Sequence, residues 1–238
     1  MIIKTITAVI ALCVVTQIAA QSNAGADLKA IETSYKAAKV LAFDGNIKYY
    51  TDIQNTNPSE MTLMSYRRDG DKMHLVIGTQ TVIYDGKLNL IINEDEQTIY
   101  VSATPPKQVK KGSKALPTEG FEEYAQTGLF DIQATDYVGN KRKVSIKSKD
   151  DKATASTVEF IYQPLTNFIE FTRMIVDRAD ESLSADINKK KFECSYYNYK
   201  TSLSEKITTN GYLEKVKSGK KFTFRGIGKF KNYQIITV

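Results

Sequence analysis

The sequence predicts an α+β protein dominated by antiparallel sheet, and three observations carry that prediction. From Phe43 onward apolar and polar residues alternate with a period of two, the pattern of strands with one buried face. Asp69-Gly70 and Asp85-Gly86 separate neighbouring runs, and Asp-Gly supplies the positive φ angles that a tight hairpin turn requires. Strands joined by two-residue turns run antiparallel. Before the alternation begins, the period is close to 3.6: Leu28, Ile31, Tyr35 and Ala38 share one face of a short helix, with Lys29, Glu32, Lys36 and Lys39 elsewhere. Asp27 is placed to cap that helix.

The elements follow in order. Phe43, Ile47, Tyr49 and Ile53 alternate with Asn46, Lys48, Tyr50 and Asp52 in a first strand. Met61–Arg68, Lys72–Ile77, Gln80–Tyr84, Leu88–Ile92 and Gln97–Ser102 extend it, so residues 43–102 read as a meander. The Pro/Lys-rich stretch 103–118 is a loop, and Glu119–Leu129 a short helix with Phe121, Tyr124, Ala125 and Leu129 on one side. Ile132–Tyr137 and Arg142–Lys147 flank a Gly139-Asn140 turn, and Ser156–Tyr162 follows. Leu165, Phe168, Ile169, Thr172 and Val176 suit a helix face, but β-branched and aromatic residues favour a strand over 165–177. Lys191–Tyr199, Tyr212–Val216, Lys221–Arg225 (back across Ser218-Gly219) and Tyr233–Val238 complete the strands. No repeat and no linker divides the chain, so residues 27–238 are expected to form one domain.

The first residues bear on location. One positive residue, Lys4, precedes an apolar run from Ile6 to Ile18 that ends in Ala19 and Ala20. That is the order of a secretory leader, and the run is too short to span a bilayer comfortably. Residues 1–20 are expected to be removed, with cleavage after Ala20 or as late as Ala26, and Cys13 lost with them. The remaining protein would be soluble and periplasmic or secreted. It keeps one cysteine, Cys194, so no disulfide forms within the chain. The formal net charge is +6, and Lys107, Lys110, Lys111 and Lys114 cluster around Pro105, Pro106 and Pro117. Such a loop is solvated, or it docks on an acidic partner or on anionic headgroups. Nucleic acid does not fit an exported protein.

Reactive groups are sparse. His74 is the one histidine, set in a strand between Met73 and Leu75, whereas a histidine-activated nucleophile or a histidine metal site needs partners. Cys194 lies in an aromatic strand and reads as packing. Asn93-Glu94-Asp95-Glu96 lacks the spaced ligands of a calcium loop and reads as a solvated turn. Asp177, Asp180, Glu181 and Asp186 leave an acid pair for sugar hydrolysis open, but the chain has no tryptophan to serve as a sugar platform. No nucleotide, hydrolase or redox motif is present. The expectation is a non-enzyme with no cofactor and no metal.

Apolar strand faces are better represented. Met61, Leu63, Leu75, Ile77, Val82, Tyr84, Leu88, Leu90, Ile92, Ile99 and Val101 are expected to cover one side of the meander. Met64, Tyr66, Val76, Ile83, Ile91 and Tyr100 are expected on the other. Such faces can be buried against a second sheet, in a filled barrel, or around a cavity able to hold acyl chains. Each buried methylene contributes about 0.8 kcal/mol.

The order of elements carries a resemblance. A leader and short helix precede an aromatic strand, Phe43 to Tyr50. Then come Ser65-Tyr66-Arg67-Arg68-Asp69-Gly70, Tyr84-Asp85-Gly86-Lys87-Leu88 and Gln97-Thr98-Ile99-Tyr100-Val101. Over residues 28–102 this resembles the LolA/LolB-like outer-membrane lipoprotein carriers, with Asp69 where those carriers tend to have proline. The resemblance implies a strongly curved, incompletely closed β-barrel with a few helices acting as a lid over an apolar cavity. It implies a monomeric periplasmic carrier of lipoprotein acyl chains or other lipids, with an inner-membrane donor and an outer-membrane acceptor. The cavity would be lined by Phe43, Ile47, Tyr49, Leu63, Leu75, Ile77, Leu90, Ile92 and Ile99. Arg68, or Arg67 if the register slips by one, would latch the lid. The alternative is an envelope interaction module of the same fold with a packed interior.

Overall fold

Fourteen strands and one α-helix make up the parts of the chain that the structure, a computed structural model, describes: residues 24–103, 128–150, 155–176, 190–218 and 221–237. Residues 24–37 form α1. The strands are β1 Val40–Tyr50, β2 Glu60–Asp69, β3 Lys72–Ile77, β4 Gln80–Tyr84, β5 Asn89–Asn93, β6 Thr98–Ser102 and β7 Phe130–Tyr137. They continue as β8 Lys141–Ser148, β9 Ala155–Gln163, β10 Phe168–Val176, β11 Lys191–Lys200, β12 Leu213–Ser218, β13 Lys221–Gly226 and β14 Gln234–Thr237. Within segment 165–177, Phe168–Val176 is strand, as expected. The expected leader, the expected Pro/Lys loop from 104 onward, the expected helix up to residue 127 and the acids Asp177, Asp180, Glu181 and Asp186 lie outside the described residues. No described helix is long and apolar enough to cross a membrane.

The contacts group the described residues into two compact units. The first contains α1, residues 47–61 and residues 128–195; the second contains residues 38–46, 62–103 and 196–237. In the first unit β7 to β11 follow one another as antiparallel neighbours. The Gly139-Asn140 turn adopts φ of 74° and 58°, as a tight hairpin requires. The register aligns Ile132 with Ile146, Val144 with Phe160, and Tyr162 with Ile169, giving one apolar face. Against it α1 buries Leu28, Ile31 and Tyr35. The Tyr35 ring meets Phe168 edge-on at 5.3 Å, and its hydroxyl accepts the Ile169 N–H at 3.1 Å. Burying each such side chain contributes about 1.5–3 kcal/mol.

Asp27 does not cap α1, because residues 24–26 are already helical. Its carboxylate instead accepts from Arg142 Nε and Nη2 at 2.9 and 2.7 Å, tying the helix to β8. The opposite face of this sheet is charged. Arg173 Nε and Nη1 reach Glu193 and Glu159 on the flanking strands at 3.0 and 3.1 Å, and the Tyr50 hydroxyl donates to Glu193 at 2.7 Å.

In the second unit β2 to β6 form the expected antiparallel meander. Gly70 and Gly86 take the positive φ that their turns demand. One ladder departs from expectation: β14 lies parallel to β6, pairing Ile235 with Ile99 and Ile236 with Tyr100. β12 and β13 form a separate two-stranded sheet. β7 and β14 each have a strand neighbour on one side only, so the described strands do not close into a barrel.

The register corrects the expected grouping of apolar residues. Tyr66, Leu75, Val82, Ile91 and Tyr100 stand side by side on one face, which also carries Met64 and Ile77. The other face carries Ile83, Leu90, Ile92, Ile99 and Val101. So Leu75, Ile77, Val82 and Tyr84 do not share a side with Leu90, Ile92, Ile99 and Val101. Alternation fixes which residues share a face within a strand; the turns fix which faces coincide between strands. The second face is filled, since Ile207, Leu213 and Phe230 pack into it, with Leu203, Tyr212 and Phe224 around them.

Candidate functional site

The site is assembled around the β2–β3 turn of the second unit. The Gly70 N–H donates to Lys39 O at 2.9 Å. Arg68, half-buried, donates from Nη2 to Ala38 O at 2.6 Å. Ala38 belongs, with Arg68, to the second unit. A charged donor to a carbonyl is stronger than a neutral pair.

Arg68 shares its face with Tyr66, Leu75 and Ile77. Phe43 stacks on Tyr66 with ring centroids 5.0 Å apart, and Tyr199 and Tyr196 enclose it at 5.2 and 5.6 Å. Beyond this aromatic cluster the face runs through Leu75, Ile77, Val82 and Tyr100, all half-buried, to Ile91, which is 42% exposed. Tyr84, buried at the edge of the face, has its phenol pushed up by burial and then by Asp71 and Asp85. The face is a continuous apolar surface that is only partly covered.

Of the residues expected to line a cavity, Phe43, Leu75 and Ile77 belong to this surface. Ile47 and Tyr49 fall in the first unit, where Tyr49 meets Phe192 edge-on at 5.4 Å. Leu63 is 62% exposed. Leu90, Ile92 and Ile99 lie in the filled cluster. The two arginines point to opposite faces: Arg68 pairs with Met73 and Arg67 with His74. Val82, Ile91 and Tyr100 join the surface only through the strand register.

Arg67 borders a recess of about 480 Å³ on the filled side of the same unit. One wall is the cross-strand row Arg67, His74 and Ile83. The other is the segment 203–212, through Leu203, Ile207 and Tyr212. A smaller recess of about 90 Å³ adjoins it and shares Arg67, Leu203 and Ser204. The Tyr212 hydroxyl lies 3.4 Å from His74 Nε2. Burial, then the neighbouring Arg67 charge, holds the imidazole below its ordinary range, so it is neutral at neutral pH. Nothing in the sequence pattern marks segment 203–212 as a wall, because it has no periodicity. Among the described residues no group of three His, Cys, Asp or Glu side chains is placed to hold a metal. At the acidic tip 93–96, Asn93 Oδ1 accepts the Asp95 and Glu96 N–H groups, the Thr79 hydroxyl donates to Asp95 and the Lys229 ammonium to Glu94.

No family model matches the chain. No curated protein matches it either. Among solved structures, the chain is similar to an uncharacterized conserved protein from Thermus thermophilus at 7% identity and a TM-score of 0.46, over 91% of this chain and 99% of that one. A chain of the Pseudomonas aeruginosa MucA/MucB complex gives 10% identity and a TM-score of 0.43, over 85% and 74%. A LolA superfamily protein from Nitrosomonas europaea gives 9% and 0.29, over 79% and 98%. With every one of these TM-scores below 0.5, the functional reading rests on this chain's own residues.

Proposed function

We propose that this chain is an exported, non-catalytic carrier that shelters the acyl chains of lipoproteins or other lipids. It works in the periplasm as a monomer, between an inner-membrane donor and an outer-membrane acceptor, with no nucleic acid and no cofactor. The observation that carries the reading is the partly covered apolar surface of the second unit, with Arg68 at its edge bonded to Ala38 O. Phe43, Tyr66, Leu75, Ile77, Val82, Ile91 and Tyr100 supply the surface, and each methylene of a cargo chain laid against it contributes about 0.8 kcal/mol. Arg68 is the lid latch of this proposal. The filled cluster around Leu90, Ile92 and Ile99 supports a second reading, an envelope interaction module with a packed interior.

Lipid extraction of the purified mature protein, followed by uptake of a fluorescent fatty acid, separates the two. Co-purifying acyl species and saturable uptake are expected for the carrier. A lipid-free protein without uptake overturns the carrier and leaves the module. In the Arg68→Leu variant, loss of one charged hydrogen bond, about 1.5–3 kcal/mol, changes the release rate by tenfold or more. An unchanged release rate removes the latch assignment.

A further inference from the structure

We infer that the recess between Arg67, His74 and Ile83 and the segment 203–212 is a second binding site, for small organic anions that carry an apolar body. It lies on the opposite face of the meander from the proposed lipid surface and does not depend on it. Its floor is apolar: Ile83 and Ile207 are buried and Leu203 is half-buried. Its mouth is polar and exposed, with Arg67, Lys206, Ser204 and Thr208 in the lining. Glu205 is the one carboxylate among the described lining residues, against two permanent cations. His74 and Tyr212 stand together on the wall and offer a hydrogen-bonding edge without adding charge.

This combination selects a chemical class. A volume of about 480 Å³ falls within the roughly 300–1,000 Å³ of sites that enclose small molecules. An inorganic anion would leave Ile83, Leu203 and Ile207 without an apolar partner. A purely apolar ligand would have to be held beneath two cations that it could not pair. A cationic ligand would meet Arg67 and Lys206 with like charge. A carboxylate or sulfonate on a short hydrocarbon body satisfies both ends, with the planar Arg67 fork matched to the head and the body on Ile83, Leu203 and Ile207.

The single histidine makes the test specific, because its imidazole signals report this recess and need no assignment among others. The mature protein is labelled with nitrogen-15 and titrated with decanoate below its micelle concentration at neutral pH. A saturable shift of the His74 signals is expected, weakened tenfold or more in Arg67→Gln, which loses a charged hydrogen bond. Decanol, of equal chain length and no charge, is expected to bind at least tenfold more weakly, while Lys87→Gln, at an exposed turn, leaves decanoate binding unchanged. No saturable shift into the millimolar range overturns the site. Equal binding of decanol, or full affinity in Arg67→Gln with an unaltered amide spectrum, overturns its assignment to anions.

Discussion

Replacing Asp85 with asparagine removes one charge and two acceptor contacts while preserving shape, and its cost can be worked from four hydrogen bonds. Asp85 Oδ1 accepts the Lys87 and Leu88 N–H groups, each at 3.0 Å, which closes the β4–β5 turn. Oδ2 accepts the Thr209 hydroxyl at 2.6 Å and the Thr209 N–H at 3.3 Å. One carboxylate thus fastens segment 203–212 to the meander. In Asp85→Asn the turn contacts survive, but an amide NH₂ replaces the acceptor; the Thr209 hydroxyl can turn to accept from it, whereas the N–H of Thr209, which is only 4% exposed, loses its partner. A buried donor left unsatisfied costs about 1–3 kcal/mol, so the loss is about 1–3 kcal/mol. At about 2–4 °C per kcal/mol for a chain of this size, Tm falls by about 2–12 °C. The effect also has a pH signature. Burial pushes the Asp85 carboxyl up, but the Thr209 hydroxyl and the Leu88, Lys87 and Thr209 N–H groups outweigh it and hold it below its ordinary value. A folded-state pKa below the unfolded one adds stability above the unfolded pKa, and that stability is lost as pH falls through the folded pKa. Wild type and variant should therefore converge in acid. Urea unfolding across pH, in a double-mutant cycle with Thr209→Val, measures this. A loss under about 0.5 kcal/mol, or a gap that persists in acid, refutes the reasoning.

Three further outcomes are expected. A Cβ on Gly226 would fall 1.9 Å from Phe230 O and 2.7 Å from its carbonyl carbon, so Gly226→Ala should lower Tm sharply. Gly211→Ala, whose Cβ would meet nothing within 4 Å, should leave Tm nearly unchanged. Glu193 is pushed up by burial, but the Tyr50 hydroxyl and Arg173 outweigh this and hold it below its ordinary value. Glu193→Gln should therefore destabilise at neutral pH, with the difference vanishing as pH falls through the lowered pKa, which acid-range unfolding curves would show.

The strands and turns were legible because their signals are local. Alternation in Lys72–Ile77 and the Asp-Gly pairs need no tertiary information, and the turns impose antiparallel pairing directly. The facing of strands was not legible. β4 and β5 are apolar on both sides, so Val82 and Ile83, or Leu90 and Ile91, are interchangeable until the register fixes them. The parallel β14–β6 ladder was hidden for a related reason, since the contact joins segments far apart in the chain. Arg68 was singled out only through the resemblance, which implies a latching arginine before this turn. That its partner would be Ala38 O is a consequence of where the β2–β3 turn lies, which no spacing reveals.

Leu90 and Ile91 turn that ambiguity into a test of the whole assignment. They are adjacent in sequence and similar in size, yet Leu90 is fully buried in the filled cluster while Ile91 remains 42% exposed on the other face. Leu90→Ala should open a cavity among Ile83, Ile92 and Val101 and cost about 2–5 kcal/mol. Ile91→Ala removes a side chain already half in water and should cost about 1 kcal/mol or less. Ligand capture should show the reverse ranking: Ile91→Asp abolishes uptake of the fluorescent fatty acid at nearly unchanged Tm. Leu90→Ala retains uptake wherever the protein stays folded. Uptake that survives Ile91→Asp but fails in folded Leu90→Ala would move the lipid surface to the filled face and require that cluster to open.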